Sequence, residues 1–377
     1  MKIIVLGAGL VGGPMAKDLA KDQDFKVTVA DYQSLNLDRL GKDFEGTRIT
    51  ADLSDTGSLK KLIQDQDIVL SAVPGYLGFE TLKTVIEAGK NVVDIAFSPE
   101  DIFDLDDRAK KRGVIAIVDM GVAPGMSNLL TGYGDSLLDE TSCVTIYVGG
   151  LPKVRELPWE YKAVFSPVDV IEEYTRPARF VVNGHMVIKP ALSDPELIDF
   201  PKIGTLEAFN SDGLRTLMST IHAPEMIEKT LRYAGHIDKI KLLRDTGLFS
   251  YDPIEMNGSA VRPIDLTTRL LFPQWKMKEG EEDLTIMQVI VEGLKDNTLV
   301  RYSWDLYDTY DPVSGVHSMA RTTGYTATMA VRMIAHRLYR EKGISPPEYI
   351  GKNPLCAEYI LEGLRERGVV YEMKIEK

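Results

Sequence analysis

The sequence predicts an α/β protein in two parts, a doubly wound parallel sheet followed by a mixed α+β domain. Three features carry that prediction. The first 31 residues run apolar strand, glycine turn, amphipathic helix, apolar strand and acid. Short apolar runs then alternate with helical stretches as far as residue 120. Beyond residue 124 the runs lengthen, alternate apolar with polar residues, and pair around turn signals.

The opening unit is Lys2–Leu6, then Gly7-Ala8-Gly9-Leu10-Val11-Gly12, then a helix with Met15, Leu19 and Ala20 on one side, then Lys26–Ala30 ending in Asp31. That order is what a Rossmann-type dinucleotide site requires. Gly7 permits the tight turn, Gly9 lets the backbone approach a pyrophosphate, and Gly12 lets the helix close on the sheet. The helix N-terminus offers free N–H groups and partial positive charge to phosphate, so the whole turn, with Ala8, Leu10 and Val11, reads as cofactor-binding. Asp31 can accept hydrogen bonds from an adenosine ribose diol and would repel a 2′-phosphate, which favours NAD over NADP. The competing reading is a glycine turn of the same fold that binds nothing.

The next elements follow in order. Thr47–Ala51 reads as a strand with Asp52 beyond it, and Ser58–Gln64 as a crossover helix. Asp67–Val73 is a buried strand stopped by Pro74-Gly75. Phe79–Ala88 is helical and capped by Gly89, and Asn91–Ala96 is the fifth strand. A helix over Asp104–Arg112 ends at Gly113, and Val114–Asp119 is the sixth strand. Ligands of such sheets lie beyond the carboxyl ends of the strands. Asp52, Ala72, Val73, Pro74, Ile95, Ala96 and the segment Gly121-Val122-Ala123-Pro124 should therefore face one crevice. Pro74 and Gly75 would pass the nicotinamide ribose, and Asp52 would reach the adenine amino group.

The second part opens with a helix over Gly125–Leu138 and a strand over Cys143–Val148 that ends at Gly149-Gly150. Asn183-Gly184 between two apolar runs signals a type I′ hairpin. Asp283–Val291 and Leu299–Tyr307 form a longer hairpin. Helical pieces are expected near Gly213–Ile221, His236–Arg244 and Pro263–Leu271. The tail returns to helix over Ser318–Tyr339, with Gly343 as its cap, then Pro354–Arg367, and Val369–Met373 as a last strand or arm. The expected division is 1–124 for the first domain, completed by 318–377, and 125–317 for the second.

Composition narrows the function classes. A chain of 377 residues with 44% hydrophobic and 27% charged residues is an ordinary globular protein of about two domains. Its net charge of −12 excludes a basic footprint for nucleic acid or anionic membrane and leaves room for a cationic substrate. Cys143 and Cys356, the two cysteines, form no disulfide framework or metal spacing, which suits a cytoplasmic protein. No apolar run approaches a membrane span, and the first residues read as a strand, so no signal peptide is expected. The absence of HExxH, paired CxxC and EF-hand patterns leads to an expectation of no metal, and no GxSxG elbow or P-loop lysine appears.

At this point several motifs carry a resemblance. Asp119-Met120-Gly121-Val122-Ala123-Pro124-Gly125-Met126-Ser127-Asn128 and Thr230-Leu231-Arg232-Tyr233-Ala234-Gly235-His236 resemble segments of the saccharopine dehydrogenase superfamily. Tyr147–Pro152, Glu173–Ala178 and Ser318–Gly324 are similar to its L-lysine 6-dehydrogenase branch. The resemblance implies NAD-dependent oxidative deamination at the ε-carbon of L-lysine, giving ammonia and a semialdehyde that cyclises to a piperideine carboxylate. It also implies a homodimer built through the second domain. Saccharopine reductases carry an acid before the Pro-Gly of the first segment, where this chain has Ala123. That departure tilts the reading toward free lysine. The alternatives are a saccharopine- or carboxynorspermidine-type dehydrogenase and a catalytically silent NAD-binding regulator.

The chemistry sets what the second domain must supply. Hydride leaves a carbon bearing nitrogen only if the nitrogen lone pair is free, and an alkylammonium has a pKa near ~10.4. The site therefore needs a proton acceptor and an anchor for the far carboxylate. Arg232, at the superfamily's carboxylate-contacting position, is the first anchor, with Arg321 second. His236 and Asp119 are candidates for moving the proton, Tyr76 for the pocket rim beside the chemistry, and Glu173 for the α-ammonium. Each has a plain alternative as an ion pair, a helix-start arginine, a core histidine, a packed aromatic or a solvated acid.

Overall fold

Aliphatic and β-branched runs, buried on both faces except in the edge strand Thr47–Thr50, make the first sheet. The computed structural model describes residues 1–163, 167–278 and 280–377, apart from the side chains of 167 and 168. The first part runs β1 (Lys2–Leu6), α1 (Gly12–Leu19), β2 (Lys26–Asp31), α2 (Ser34–Asp38), β3 (Thr47–Thr50), α3 (Thr56–Ile63), β4 (Ile68–Ser71), α4 (Gly75–Glu87), β5 (Asn91–Asp94), α5 (Asp106–Arg112) and β6 (Ile115–Ile117). There follow α6 (Met126–Ser136), β7 (Glu140–Pro152), α7 (Pro167–Thr175), β8 (Ala178–Val182), β9 (His185–Lys189), β10 (Glu196–Phe200), β11 (Gly204–Asn210), α8 (Leu217–Thr220) and β12 (Glu225–Tyr233). The chain continues through α9 (His236–Asp245), β13 (Ile254–Met256), β14 (Ser259–Val261), α10 (Pro263–Trp275), β15 (Asp283–Lys295) and β16 (Thr298–Thr309). It closes with α11 (Ser318–Ala335), β17 (Gly343–Ser345), α12 (Pro347–Gly351), α13 (Pro354–Glu366) and β18 (Tyr371–Glu376).

The first sheet is parallel, in the order β17-β6-β5-β4-β1-β2-β3. Strand order reverses between β1 and β4, so the loops after Leu6 and Ser71 diverge and open a crevice there. Among the described residues the sheet has seven strands, not six. The seventh is β17, where a helix cap at Gly343 was expected. Ile344 is buried against β6, and its N–H donates to Asp106 Oδ1 at 2.9 Å, so pairing with the sheet outweighs a loop.

The second sheet is mixed, in the order β10-β11-β12-β7-β15-β16-β18, with β8 joining β12 and β9 joining β8. Only β12 and β7 run parallel along that path. The Asn183-Gly184 turn has φ of 49° and 75°, as a type I′ hairpin needs. β7 does not stop at Gly149-Gly150. It runs to Pro152, because both glycines are held in the ladder opposite Ile286 and Thr285. The chain end departs from expectation too. β18 pairs with β16, so the last residues belong to the second sheet and not to the first domain.

α11 packs between the two parts, against α1 on one side and β15 and β16 on the other. One apolar core consequently holds Met15, Ile117, Val144, Met287, Trp304 and Met333 together. A buried clasp fixes α11 and α13 to α1. Asp18, 2% exposed, accepts from Arg332 Nη1 at 2.7 Å, Thr328 Oγ1 at 2.7 Å and Arg367 Nε at 2.9 Å.

Candidate functional site

A cleft of about 820 Å³ opens at the carboxyl ends of the first sheet and continues between the two parts. That is the size of a ligand pocket. Its first half is built by the glycine turn. A Cβ on Gly12 would lie 2.1 Å from Gly7 O, whereas one on Gly9 would meet nothing within 4 Å. Gly12 is thus fixed by helix-to-turn contact, and Gly9 keeps open space where phosphates would approach. Asp31, 4% exposed, ends β2 at the wall of the cleft. Its Oδ2 accepts from Ala8 N–H at 2.7 Å and its Oδ1 from Gln33 N–H at 2.8 Å. The open glycine turn, the helix N-terminus behind it and an acid at the strand end together fit a dinucleotide.

Gly7, Leu10, Val11, Asp52, Ala72, Val73, Pro74, Ile95, Val122 and Ala123 also line the cleft. Ala8 does not: it is buried, with its N–H taken by Asp31. Asp52 is exposed and turns on Ser54, accepting from its N–H at 2.9 Å and its hydroxyl at 2.6 Å. Tyr76 stands at the rim, 75% exposed.

The second half is built by β12, α7 and the loop after β11. Glu228, Thr230 and Arg232 occupy alternate positions of β12 and all face the cleft. Arg232 donates from Nη2 to Glu173 at 2.7 Å, from Nε to Tyr174 OH at 3.0 Å and from Nη1 to Leu231 O at 2.9 Å. Burial opposes its charge, but Tyr174, Tyr161 and Glu173 keep the guanidinium firmly protonated. Burial pushes the Glu173 carboxyl above its ordinary range, and Arg232 opposes the shift. Asp212 is held bidentately by Arg179 at 2.8 Å on each oxygen. Arg176 reaches the cleft from the end of α7, lying over the Phe97 ring at 4.6 Å and 3.5 Å from Glu172.

Glu228 is seated differently. It is 4% exposed and accepts at Oε2 from Ser211 Oγ at 2.7 Å and Gly213 N–H at 3.1 Å. Among the described residues no cation forms an ion pair with it. Burial raises its carboxyl to about 7, Ser211 opposes the shift, and Glu173 and Asp212 add to it.

Three expected residues lie elsewhere. His236 is 1% exposed behind the cleft wall, with Nε2 3.0 Å from Tyr174 OH and Nδ1 2.9 Å from Trp159 O. Burial and then Arg232 lower it to about 3, so it is a neutral core histidine. Asp119 is 2% exposed and held by Arg215 at 3.1 and 3.3 Å, off the cleft surface. Arg321 pairs with Asp308 at 3.3 Å and Asp311 at 3.4 Å where α11 meets β16, away from the cleft. Missing from the sequence reading were α7 with Arg176, and Glu228 with Ser211 and Gly213. The alternation Glu228, Thr230, Arg232 was the available signal, because it marks one face of a strand.

Among the described residues, no group of three His, Cys, Asp or Glu is placed to hold a metal ion, and no helix is long and apolar enough to cross a membrane.

Known proteins resemble both halves of the chain. The family model for the saccharopine dehydrogenase NADP binding domain matches residues 3–117, and that for the saccharopine dehydrogenase C-terminal domain matches residues 121–369. The mitochondrial alpha-aminoadipic semialdehyde synthase of Bos taurus is 23% identical over 98% of this chain and 47% of its own length. The chain thus spans about half the length of that relative. The carboxynorspermidine synthase of Vibrio cholerae is 24% identical over 94% of this chain and 93% of its own. The apo saccharopine dehydrogenase (L-Glu forming) of Saccharomyces cerevisiae superimposes with a TM-score of 0.81 at 20% identity, covering 100% of both chains.

Proposed function

The chain belongs to the saccharopine dehydrogenase family, and on that premise we propose that it oxidises the ε-amine of L-lysine with NAD, releasing ammonia and the 6-semialdehyde. The observation that carries the reading is the second half of the cleft, where carboxylates and guanidinium groups stand together beyond the nicotinamide end. Glu172, Glu173 and Asp212 are paired there with Arg176, Arg232 and Arg179, and Asp169 and Glu228 add to the acids. An excess of acid suits a substrate with two ammonium groups and one carboxylate. Ala123 supports a short substrate, since the acid that saccharopine reductases carry before Pro-Gly is absent.

Bound NAD would supply the hydride acceptor. The chain's own groups do the rest. The turn Gly7–Gly12 would hold the pyrophosphate and Asp31 the adenosine ribose. Arg176, the more open of the two cleft arginines, would hold the α-carboxylate, while Arg232 is occupied in positioning Glu173 and Tyr174. Water admitted at the Tyr76 rim would then hydrolyse the substrate imine, with loss of ammonia. The homodimer through the second domain and the cytoplasmic setting belong to the same proposal.

A second reading, oxidation of a secondary amine such as saccharopine or carboxynorspermidine, is favoured by the names of the relatives. One assay separates them: NADH formation by the purified protein with L-lysine, saccharopine, carboxynorspermidine and simple diamines in turn. Turnover with lysine alone supports the proposal. Turnover with a secondary amine and not lysine overturns it, and no turnover with any amine points to the silent regulator.

A further inference from the structure

The proposed reaction needs a group to take a proton from the substrate ammonium, and neither His236 nor Asp119 reaches the cleft. Glu228 does. Its seat is built on several sides. A Cβ at position 213 would fall 2.4 Å from Glu228 Cδ, 2.5 Å from Oε2 and 2.8 Å from Oε1, so only glycine leaves room for the carboxylate. Ser211 Oγ spends its one proton on Oε2 and so receives the proton of Thr230 Oγ1, 2.7 Å away. Two donors thus fix Oε2, while Oε1 makes no hydrogen bond and is not among the sealed, unpartnered atoms. Oε1 is the free face of a buried carboxylate that borders the cleft.

We infer that the Glu228 carboxylate is the proton acceptor for the substrate amine. The inference rests on the amine-dehydrogenase reading above. In the step, one N–H bond of the ammonium breaks and its electron pair stays on nitrogen as the lone pair. The proton passes to Oε1, so the ammonium becomes a neutral amine and the carboxylate a carboxylic acid. The lone pair can then support loss of hydride from the neighbouring carbon. The charged groups around Glu228 suit the task. Glu173 comes from α7, Arg176 just past its end is 3.5 Å from Glu172, Asp212 is held by its partner Arg179, and Arg232 on the same strand is paired to Glu173. The nearby cations are thus already matched by anions, and the carboxyl, raised to about 7 by burial, passes between its two forms near neutral pH.

The test compares wild type, Glu228→Gln and Glu228→Asp by two readouts. The first is infrared titration of the purified protein. Buried Asp94 is raised to about 7 as well, so the reading is the wild-type-minus-E228Q difference: it should show a protonated-carboxyl band that disappears as pH rises through about 7, over and above the Asp94 band common to both proteins. The second is the pH profile of kcat and KM with whichever amine the protein oxidises. E228Q should lose at least ~100-fold in kcat and lose the limb near neutral pH, and E228D should keep the limb at a lower rate. If E228Q does not fold, Gly213→Ala makes the same test by displacing the carboxylate, and the limb should move or vanish. Turnover with an unchanged E228Q profile, or a rise in KM alone, overturns this inference and leaves the amine-dehydrogenase reading intact. No turnover with any amine overturns both.

Discussion

Asp31→Asn separates two cofactors with one atom. The family model for the first domain carries NADP in its description, whereas Asp31 argues for NAD. In the structure the Asp31 carboxylate accepts backbone N–H groups from Ala8 at 2.7 Å and Gln33 at 2.8 Å and the Asn36 amide at 3.2 and 3.3 Å, which holds it at the cleft wall. A hydrogen bond to a charged acceptor contributes about 1.5–3 kcal/mol. Neutralising Asp31 should therefore weaken NADH by roughly 10- to 150-fold. For NADPH the sign reverses. A 2′-phosphate about 4 Å from the carboxylate is repelled by about 4 kcal/mol per unit charge at an effective dielectric of ~20. Screening at the cleft mouth reduces this, but the ratio of the two affinities should still shift by at least ~100-fold. Fluorescence titration of NADH and NADPH into the purified protein measures both without a substrate. Wild type that binds NADPH as tightly as NADH, or a D31N ratio equal to wild type, would refute the reasoning.

Three further predictions test the second half of the cleft and the supports behind it. Arg176→Met should raise KM for a carboxylate-bearing amine by roughly 10- to 100-fold with kcat nearly unchanged, and steady-state kinetics showing no rise in KM would remove Arg176 as the anchor. His236→Gln should leave the pH profile of turnover as it is and change stability instead. His236 is held neutral, so its contribution is complete above its unfolded pKa of ~6.5 and erodes as pH falls toward about 3. Wild type should lose about 2 kcal/mol between pH 7 and pH 5 from this group, and denaturant melts in which H236Q loses as much as wild type would contradict it. Asp18→Asn should cost about 3–5 kcal/mol, because it takes the buried anion from Arg367 and leaves Arg332 with only the part-exposed Asp22. Burial alone would raise Asp18, but Arg332 and Arg367 hold it below its ordinary value. Its contribution is therefore complete above ~3.9 and disappears only as pH falls through the lower folded value. At about 2.1 cal/mol/K per residue, calorimetry at pH 7 should show Tm lower by about 4–6 °C, and an unchanged Tm would mean the clasp holds nothing.

The first domain was readable because its signals are local. Most strands are short apolar runs, several stops are Pro or Gly (Gly7, Pro74, Gly89, Gly113), and the glycine turn, Asp31, Ala72–Pro74 and Val122–Ala123 follow one another along the chain. The second half of the cleft was not readable in that way. Its residues come from three separate segments, and what distinguishes them is pairing. Arg232 reads as a free anchor until Glu173 and Tyr174 are seen to occupy it. His236 reads as a proton carrier until its two ring nitrogens are found bonded in the core. Glu228, one acid among many in an acidic chain, stands out only once Arg179 is seen to take Asp212 and Arg232 to take Glu173. Arg321 misled for a similar reason, since its partners Asp308 and Asp311 lie on a hairpin whose position against α11 no local pattern specifies. β17 was missed, and β18 was expected as a strand or arm without its partner β16, because three-residue and edge pairings are decided by distant partners and hardly at all by propensity.

The placement of β17 has a consequence for how the protein is made. β6 is an edge strand until Gly343–Ser345 arrive to pair with it, and those residues leave the ribosome after the entire second sheet except β18. The α1 surface around Asp18 waits equally long for α11 and α13. The nucleotide-binding part is first in synthesis and among the last to be closed. During translation it presents an unpaired strand edge and an uncovered helix face, both openings for wrong partners. A polypeptide cut at residue 124 should therefore aggregate where the full chain does not, and co-expression of the segment from residue 318 onward should relieve it.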